Sequence, residues 1–204
     1  MKKVIKNVVR LSLIIGLTGF YLSFVSKVVS FYLADMWNYS AKESFEMGDF
    51  VTAHSQSGDA VDLNPNEPAY FLDLAKTGLA FLPKEETLFY LNHSRQLNPR
   101  NLLTLRNGIP LYYYLGIQDL SVSVKDAKFD SRYLSIASNY YADLKKIYPN
   151  DVGLLVSVAY YEKKLDLNEA HKETLKMIKD LRPDLVEWHT SKVAHQKLPS
   201  KWCS

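Results

Sequence analysis

The N-terminal part of the chain contains a long apolar run that no polar face interrupts. Residues 11–33 read LSLIIGLTGFYLSFVSKVVSFYL, and Lys27 is their only charge. As a helix they extend about 35 Å, at ~1.5 Å per residue, which exceeds the roughly 30 Å of a bilayer's hydrocarbon core. A buried helix of a globular protein would show a polar face. The pattern therefore predicts a transmembrane helix over residues 11–33.

Basic residues flank this segment unequally. Four precede it (Lys2, Lys3, Lys6 and Arg10), whereas only Lys27 and Lys42 lie near its other end. The positive-inside rule then predicts a single-pass protein of the plasma (cytoplasmic) membrane, with residues 1–10 as a basic cytoplasmic tail and the remainder extracytoplasmic. A cleaved signal peptide, cut near Val28-Val29-Ser30, is the alternative. Hydrophobicity continues to Leu33, however, and its length favours an uncleaved anchor.

Beyond residue 33, prolines recur at a fixed interval. Pro65 and Pro99 are 34 residues apart, and so are Pro149 and Pro183. Each proline ends a similar short motif, such as Asp-Leu-Asn-Pro at residues 62–65. A period of 34 is typical of helix–turn–helix repeats, in which proline ends the second helix. The sequence therefore predicts an all-α fold, in which the transmembrane helix leads into an α-solenoid of about four helix–turn–helix units.

Placing each proline at position 32 of a 34-residue unit aligns other positions as well. A large apolar residue stands at position 4 of three units: Trp37, Phe71 and Leu155. Small residues stand at positions 8, 20 and 27 of the first two units: Ala41, Ala53 and Ala60, then Ala75, Thr87 and Ser94. The pattern resembles the tetratricopeptide repeat (TPR) family, where small residues let two antiparallel helices approach closely. The resemblance implies units at 34–67, 68–101, 102–151 and 152–185.

The third unit departs from the pattern because 50 residues separate Pro99 from Pro149. We place the insertion near residues 118–128, between a first helix from Leu102 toward Gly116 and a second helix over about 130–148. Pro110 should kink the first helix or delay its start. Residues 186–204 are predicted to form a capping helix and a tail, because a terminal repeat otherwise exposes apolar surface. No helix breaker separates Leu33 from Met47, so the membrane helix is expected to continue into the first repeat.

Charge separates the chain into two parts. Residues 1–33 hold five basic residues and no acid, which leaves 20 basic and 22 acidic side chains in the rest. A nucleic-acid-binding protein would carry its positive charge on the folded part, so nucleic acid is not an expected partner. Cys203 is the only cysteine and cannot form an internal disulfide.

No catalytic or metal-binding motif is present in the sequence. His189 and His195 are the only histidines close together, and their six-residue spacing places them on different helix faces. The chain has neither the paired cysteines of a zinc site nor a glycine-rich phosphate loop. We therefore expect no enzyme activity, cofactor or metal. Of the adjacent tyrosines, such as Tyr112-Tyr113-Tyr114, we expect most in the core and one of each set at a surface.

The TPR resemblance implies a concave groove lined by positions 2, 5, 9 and 12 of each first helix. Carried over, it nominates eight partner-binding residues: Asn38, Lys42, Phe45, Lys76, Arg106, Tyr113, Tyr160 and Lys163. Basic and aromatic side chains together suit an acidic or extended protein segment. The family's clamp for peptide carboxylates expects paired Lys and Asn, but Asp73 stands where one Asn would be. That clamp is not reproduced.

Three functions are compatible with these features. The first is a membrane-anchored scaffold for protein–protein interaction in the bacterial cell envelope. The second is an accessory module of surface polysaccharide assembly, because the arrangement is similar to the C-terminal end of O-antigen ligase-type membrane proteins. The third is a receptor on an organelle membrane, with its repeats facing the cytoplasm. The sequence does not indicate the oligomeric state.

Overall fold

The computed structural model of this chain describes residues 2–120 and 128–183, with side chains described from residue 11 onward. This part is all-helical and has eight helices. They are α1 (Lys2–Glu46), α2 (Phe50–Leu63), α3 (Pro68–Gly78), α4 (Lys84–Leu97), α5 (Leu102–Gly116), α6 (Ser131–Ile147), α7 (Val152–Lys164) and α8 (Asn168–Leu181). The predicted capping helix lies outside the described residues.

Helix α1 is continuous over 45 residues, so the prediction that the apolar helix continues beyond Leu33 is confirmed. It includes the basic residues before position 11, which were expected to form a tail. Its apolar part is long enough to cross a membrane by length and composition, and none of the apolar window is buried against the rest of the chain. The helix ends where Gly48 adopts a φ of +83°, a left-handed conformation that glycine adopts without steric cost.

Acidic and amide side chains begin most of the later helices. Asp49, Asn101 and Asp151 each accept a hydrogen bond from the backbone N–H three residues ahead, at 2.8–3.1 Å. Each of these bonds satisfies one N–H group that has no partner within its helix. The four periodic prolines each follow the second helix of a pair, two residues beyond the last residue of α2, α4, α6 or α8. The proline period therefore marks the ends of helix pairs.

The helices pack in consecutive pairs, α1 with α2, α3 with α4, α5 with α6 and α7 with α8. The first helices also contact one another in the order α1, α3, α5, α7, whereas the second helices make few or no direct contacts among themselves. The described part therefore has two layers, with the first helices close together and the second helices spread apart.

Small residues allow the close approach within each pair. Ala41, Ala53 and Ala60 are buried between α1 and α2, and Ala75, Thr87 and Ser94 are buried between α3 and α4. Trp37, the large apolar residue at position 4 of the first unit, is 41% exposed.

The main core surrounds α5, which contacts helices α3, α4, α6 and α7. All three of its adjacent tyrosines, Tyr112, Tyr113 and Tyr114, are buried, so the expectation that one would remain at a surface was wrong. All three belong to the main hydrophobic core, together with buried residues of the neighbouring helices. The helix starts at Leu102 and continues through Pro110, so the proline does not delay its start.

Candidate partner-binding groove

The contacts between consecutive first helices contain most of the residues that the sequence nominated. Between α1 and α3, Lys42 Nζ lies 3.3 Å from Asp73 Oδ2, and Lys76 Nζ lies 4.3 Å from the centre of the Phe45 ring. Asp73 is the residue that replaces the asparagine of the carboxylate clamp. Its carboxylate neutralises Lys42 within the chain, which leaves Lys76 as the more available cation at this position.

A small cavity lies beneath these side chains. Its volume is about 10 Å³, and its lining includes Ala41, Ser57 and Thr77. The Ser57 hydroxyl is buried there without a hydrogen-bond partner among the described residues. A cavity of this size holds about one water molecule, so it is too small to serve as a ligand pocket itself.

His54 lies close behind this position, on α2. Its Nδ1 is 3.2 Å from Thr77 Oγ1, and its ring packs edge-on against Phe81 at 5.2 Å. Partial burial lowers the pKa of His54 below the ordinary value of histidine, which favours the neutral ring. The histidine therefore packs as a structural side chain between α2 and α3.

Between α5 and α7, Arg106 is exposed and lies against the first turn of α7. A methyl group at Gly153 would come 3.5 Å from Arg106 Nη1, so the Arg106 guanidinium lies close to the backbone of α7 at this glycine. On the same pair of helices, Lys164 Nζ lies 4.6 Å from the Tyr160 ring centre and 5.5 Å from that of Tyr113. Sequence reasoning nominated Lys163 but missed Lys164, although its i, i+4 spacing from Tyr160 could have indicated the contact.

Three nominated residues are not available as open groove surface. Tyr113 is fully buried, Asn38 is 7% exposed and Phe45 is 9% exposed. Tyr113 is covered because α7 packs over α5, and Asn38 faces the packed side of α1. Lys42, Arg106 and Lys163 are exposed, whereas Lys76 and Tyr160 are partly exposed. The structure thus brings the nominated residues to one layer of helices but buries the apolar ones among them.

A buried polar network lies behind α7 and was not expected from the sequence. Lys145 Nζ on α6 lies 3.1 Å from Glu162 Oε1 on α7, and the Thr174 hydroxyl on α8 donates to Glu162 Oε2 at 2.6 Å. Burial raises the pKa of Glu162 above its ordinary value. The network joins three helices, and no motif in the sequence indicates it, because its members are distant along the chain.

Comparison with known proteins adds no family assignment. The sequence matches no protein-family model, and no curated protein matches it. Within residues 11–120 and 128–183, no group of three or more histidine, cysteine, aspartate or glutamate side chains is placed to hold a metal ion.

Proposed function

We propose that this chain is a membrane-anchored, TPR-like scaffold that binds an acidic, extended segment of a partner protein in the bacterial cell envelope. The observation that carries the proposal is the layer of first helices. One of them, α1, continues from the apolar segment, and the others present cations along the same layer. The repeats would then hold a partner at a fixed place on the membrane, outside the cytoplasm.

Two features support a TPR-like solenoid. Prolines at a 34-residue interval follow the second helices, and the small residues of the first two pairs are buried where paired helices meet. Together with first helices that contact each other in chain order, these features are typical of repeats that form a concave inner surface and a convex outer one.

The charges favour an acidic partner. Lys76, Arg106 and Lys163 belong to three successive first helices, and none has a carboxylate within ion-pair distance among the described residues. Unpaired cations along one layer attract carboxylates of a partner and raise its rate of association. Aromatic side chains beside them, such as Tyr160, add apolar contact.

Charge reversal tests the proposed groove. Lys76→Glu with Arg106→Glu should abolish capture of the partner by cross-linking in native membranes, quantified by mass spectrometry. Lys176→Glu with Lys179→Glu is the matched control, because it makes the same change in charge on exposed residues of a second helix, α8. Capture that survives the first double variant, with helicity unchanged in both, would exclude this surface as the site.

The predicted topology needs a separate test. A reporter that is active only outside the cytoplasm should be active at the C-terminus and inactive at the N-terminus. The reverse result would contradict the envelope proposal and favour the cytoplasm-facing receptor instead.

A further inference from the structure

The folded part begins without any linker after the apolar segment. Among the α1 side chains described from residue 11 onward, Ser30 is the first to be half-buried, and Ala34 is completely buried. Ala34 packs with Ala60 at the end of α2 and with Tyr70 at the start of α3. Burial therefore starts before the apolar run ends at Leu33, and the first helix pair must lie directly at the membrane surface if α1 crosses the bilayer.

A series of hydrogen bonds places the loops between pairs at this same end. The Tyr70 hydroxyl donates to Asp35, so the start of α3 lies beside the residues of α1 at which the folded part begins. The Ser94 hydroxyl donates to the Pro68 carbonyl at 2.6 Å, so the end of α4 lies beside the start of α3. The Tyr148 hydroxyl donates to the Arg100 carbonyl, so the end of α6 lies beside the loop between α4 and α5.

Helix direction supports the same placement. Short turns join the helices of the first two pairs, so α2 and α4 run back toward the end at which α3 begins and α1 leaves the apolar segment. We call this end the loop edge: it comprises the two loops at residues 64–67 and 98–101 and the first two residues of α5, 102–103. The turns at residues 47–49 and 79–83 lie at the opposite end, about 16 Å away over the 11 residues of α3.

The loop edge carries an exposed apolar residue beside a basic one. Leu103, in the first turn of α5, is 68% exposed, and the Arg100 side chain is exposed three residues before it. Side chains in a first turn tilt toward the N-terminus of their helix, so Leu103 is directed toward the loop edge. An apolar side chain next to a basic one suits the boundary between acyl chains and anionic headgroups.

We propose that the loop edge lies against the lipid headgroups of the membrane that α1 crosses, with Leu103 and Arg100 making the contact. The inference rests on the membrane anchoring in the proposed function and adds an orientation to it. In this orientation the axes of the paired helices are roughly perpendicular to the membrane plane. The surface formed by the first helices then faces along the membrane rather than toward it or away from it. A partner would then reach the groove along the membrane surface.

Site-specific fluorescence tests this orientation in the full chain. Leu103→Cys and Phe81→Cys, each in a Cys203→Ser background, are labelled with an environment-sensitive dye and inserted into vesicles of phosphatidylcholine and phosphatidylglycerol. Phe81 is the matched control, because it is also an exposed apolar residue (46%) but belongs to a turn at the opposite end. Headgroup-spin-labelled lipid should remove most of the fluorescence at position 103 and leave position 81 unchanged.

Vesicle flotation and carbonate extraction of the same samples separate the two proposals. Equal quenching at both positions, or stronger quenching at position 81, in protein that floats and resists extraction would overturn the orientation alone. Protein that fails to insert would overturn both the anchoring and the orientation.

Discussion

The buried Lys145–Glu162 pair gives the sharpest prediction for this fold. Replacing Lys145 with methionine removes the ammonium and leaves Glu162, which is 1% exposed, without its cation. Breaking a buried ion pair from one side costs about 3–5 kcal/mol. The Thr174 hydroxyl still donates to the carboxylate, a bond that retains about 1 kcal/mol. We therefore expect Lys145→Met to lower the free energy of unfolding by about 2–4 kcal/mol.

The same variant should show a specific pH dependence. Burial already raises the pKa of Glu162, and loss of the ammonium should raise it further. A carboxyl group whose pKa is raised in the folded state contributes stability that is complete below its unfolded pKa and is lost as the pH rises through its folded pKa. The destabilisation by Lys145→Met should therefore be larger at neutral pH than near the ordinary pKa of glutamate, about 4.3.

Urea unfolding of the full chain in detergent micelles, followed by circular dichroism at both pH values, measures these effects. Lys176→Met is the control, because Lys176 is exposed and a surface substitution changes stability by only about 0.5 kcal/mol. Adding Glu162→Met to Lys145→Met should restore part of the stability, because both buried charges are then absent. A cost no larger than that of the control, or a cost independent of pH, would mean that the Lys145 ammonium does not stabilise an ionised Glu162.

Three further changes test the packing. Gly108→Ala places its methyl group 2.7 Å from the Tyr140 hydroxyl, so after the gain in helix propensity we expect a net loss of about 1–2 kcal/mol in urea unfolding. Asp151→Ala removes the bond to the Leu154 N–H and should cost about 1 kcal/mol in the same assay. Because the pKa of His54 is lowered in the folded state, its stabilising contribution is lost as the pH falls below about 6.5, and His54→Gln should flatten the decline in melting temperature there.

One result would contradict each of these three predictions. Gly108→Ala with unchanged stability would mean that α6 can shift away from α5. Asp151→Ala with no effect would show that solvent replaces the cap. A decline of equal slope in His54→Gln would assign the acid sensitivity to other groups.

Local sequence features predicted much of the fold correctly. The apolar run and the lack of a breaker after Leu33 predicted the long helix α1. The interval between Pro99 and Pro149 placed extra residues between α5 and α6; α5 ends at Gly116, α6 begins at Ser131, and Ile117 pairs with Phe129, whereas residues 121–127 of the predicted insertion lie outside the described residues. These features depend on residues close along the chain, which is why a periodic pattern could reveal them.

The groove was less predictable because burial depends on how helices pack. Position 12 of α5 suggested a groove tyrosine, yet Tyr113 is buried because α7 covers it. Lys42 was counted as a binding cation, but Asp73 from another helix neutralises it. A repeat position identifies a helix face, whereas the neighbouring helices decide what that face contacts.

Hydrophobicity and helix breaking are local properties of the chain, so the sequence alone was enough to predict the helical class, the long apolar segment and the period of the prolines. Packing of the helices was needed to show which cations stay available, how Lys145, Glu162 and Thr174 come together, and which end of the helix pairs lies beside Leu33. Those results depend on contacts between residues that are distant in sequence, and such contacts exist only after the layers have packed.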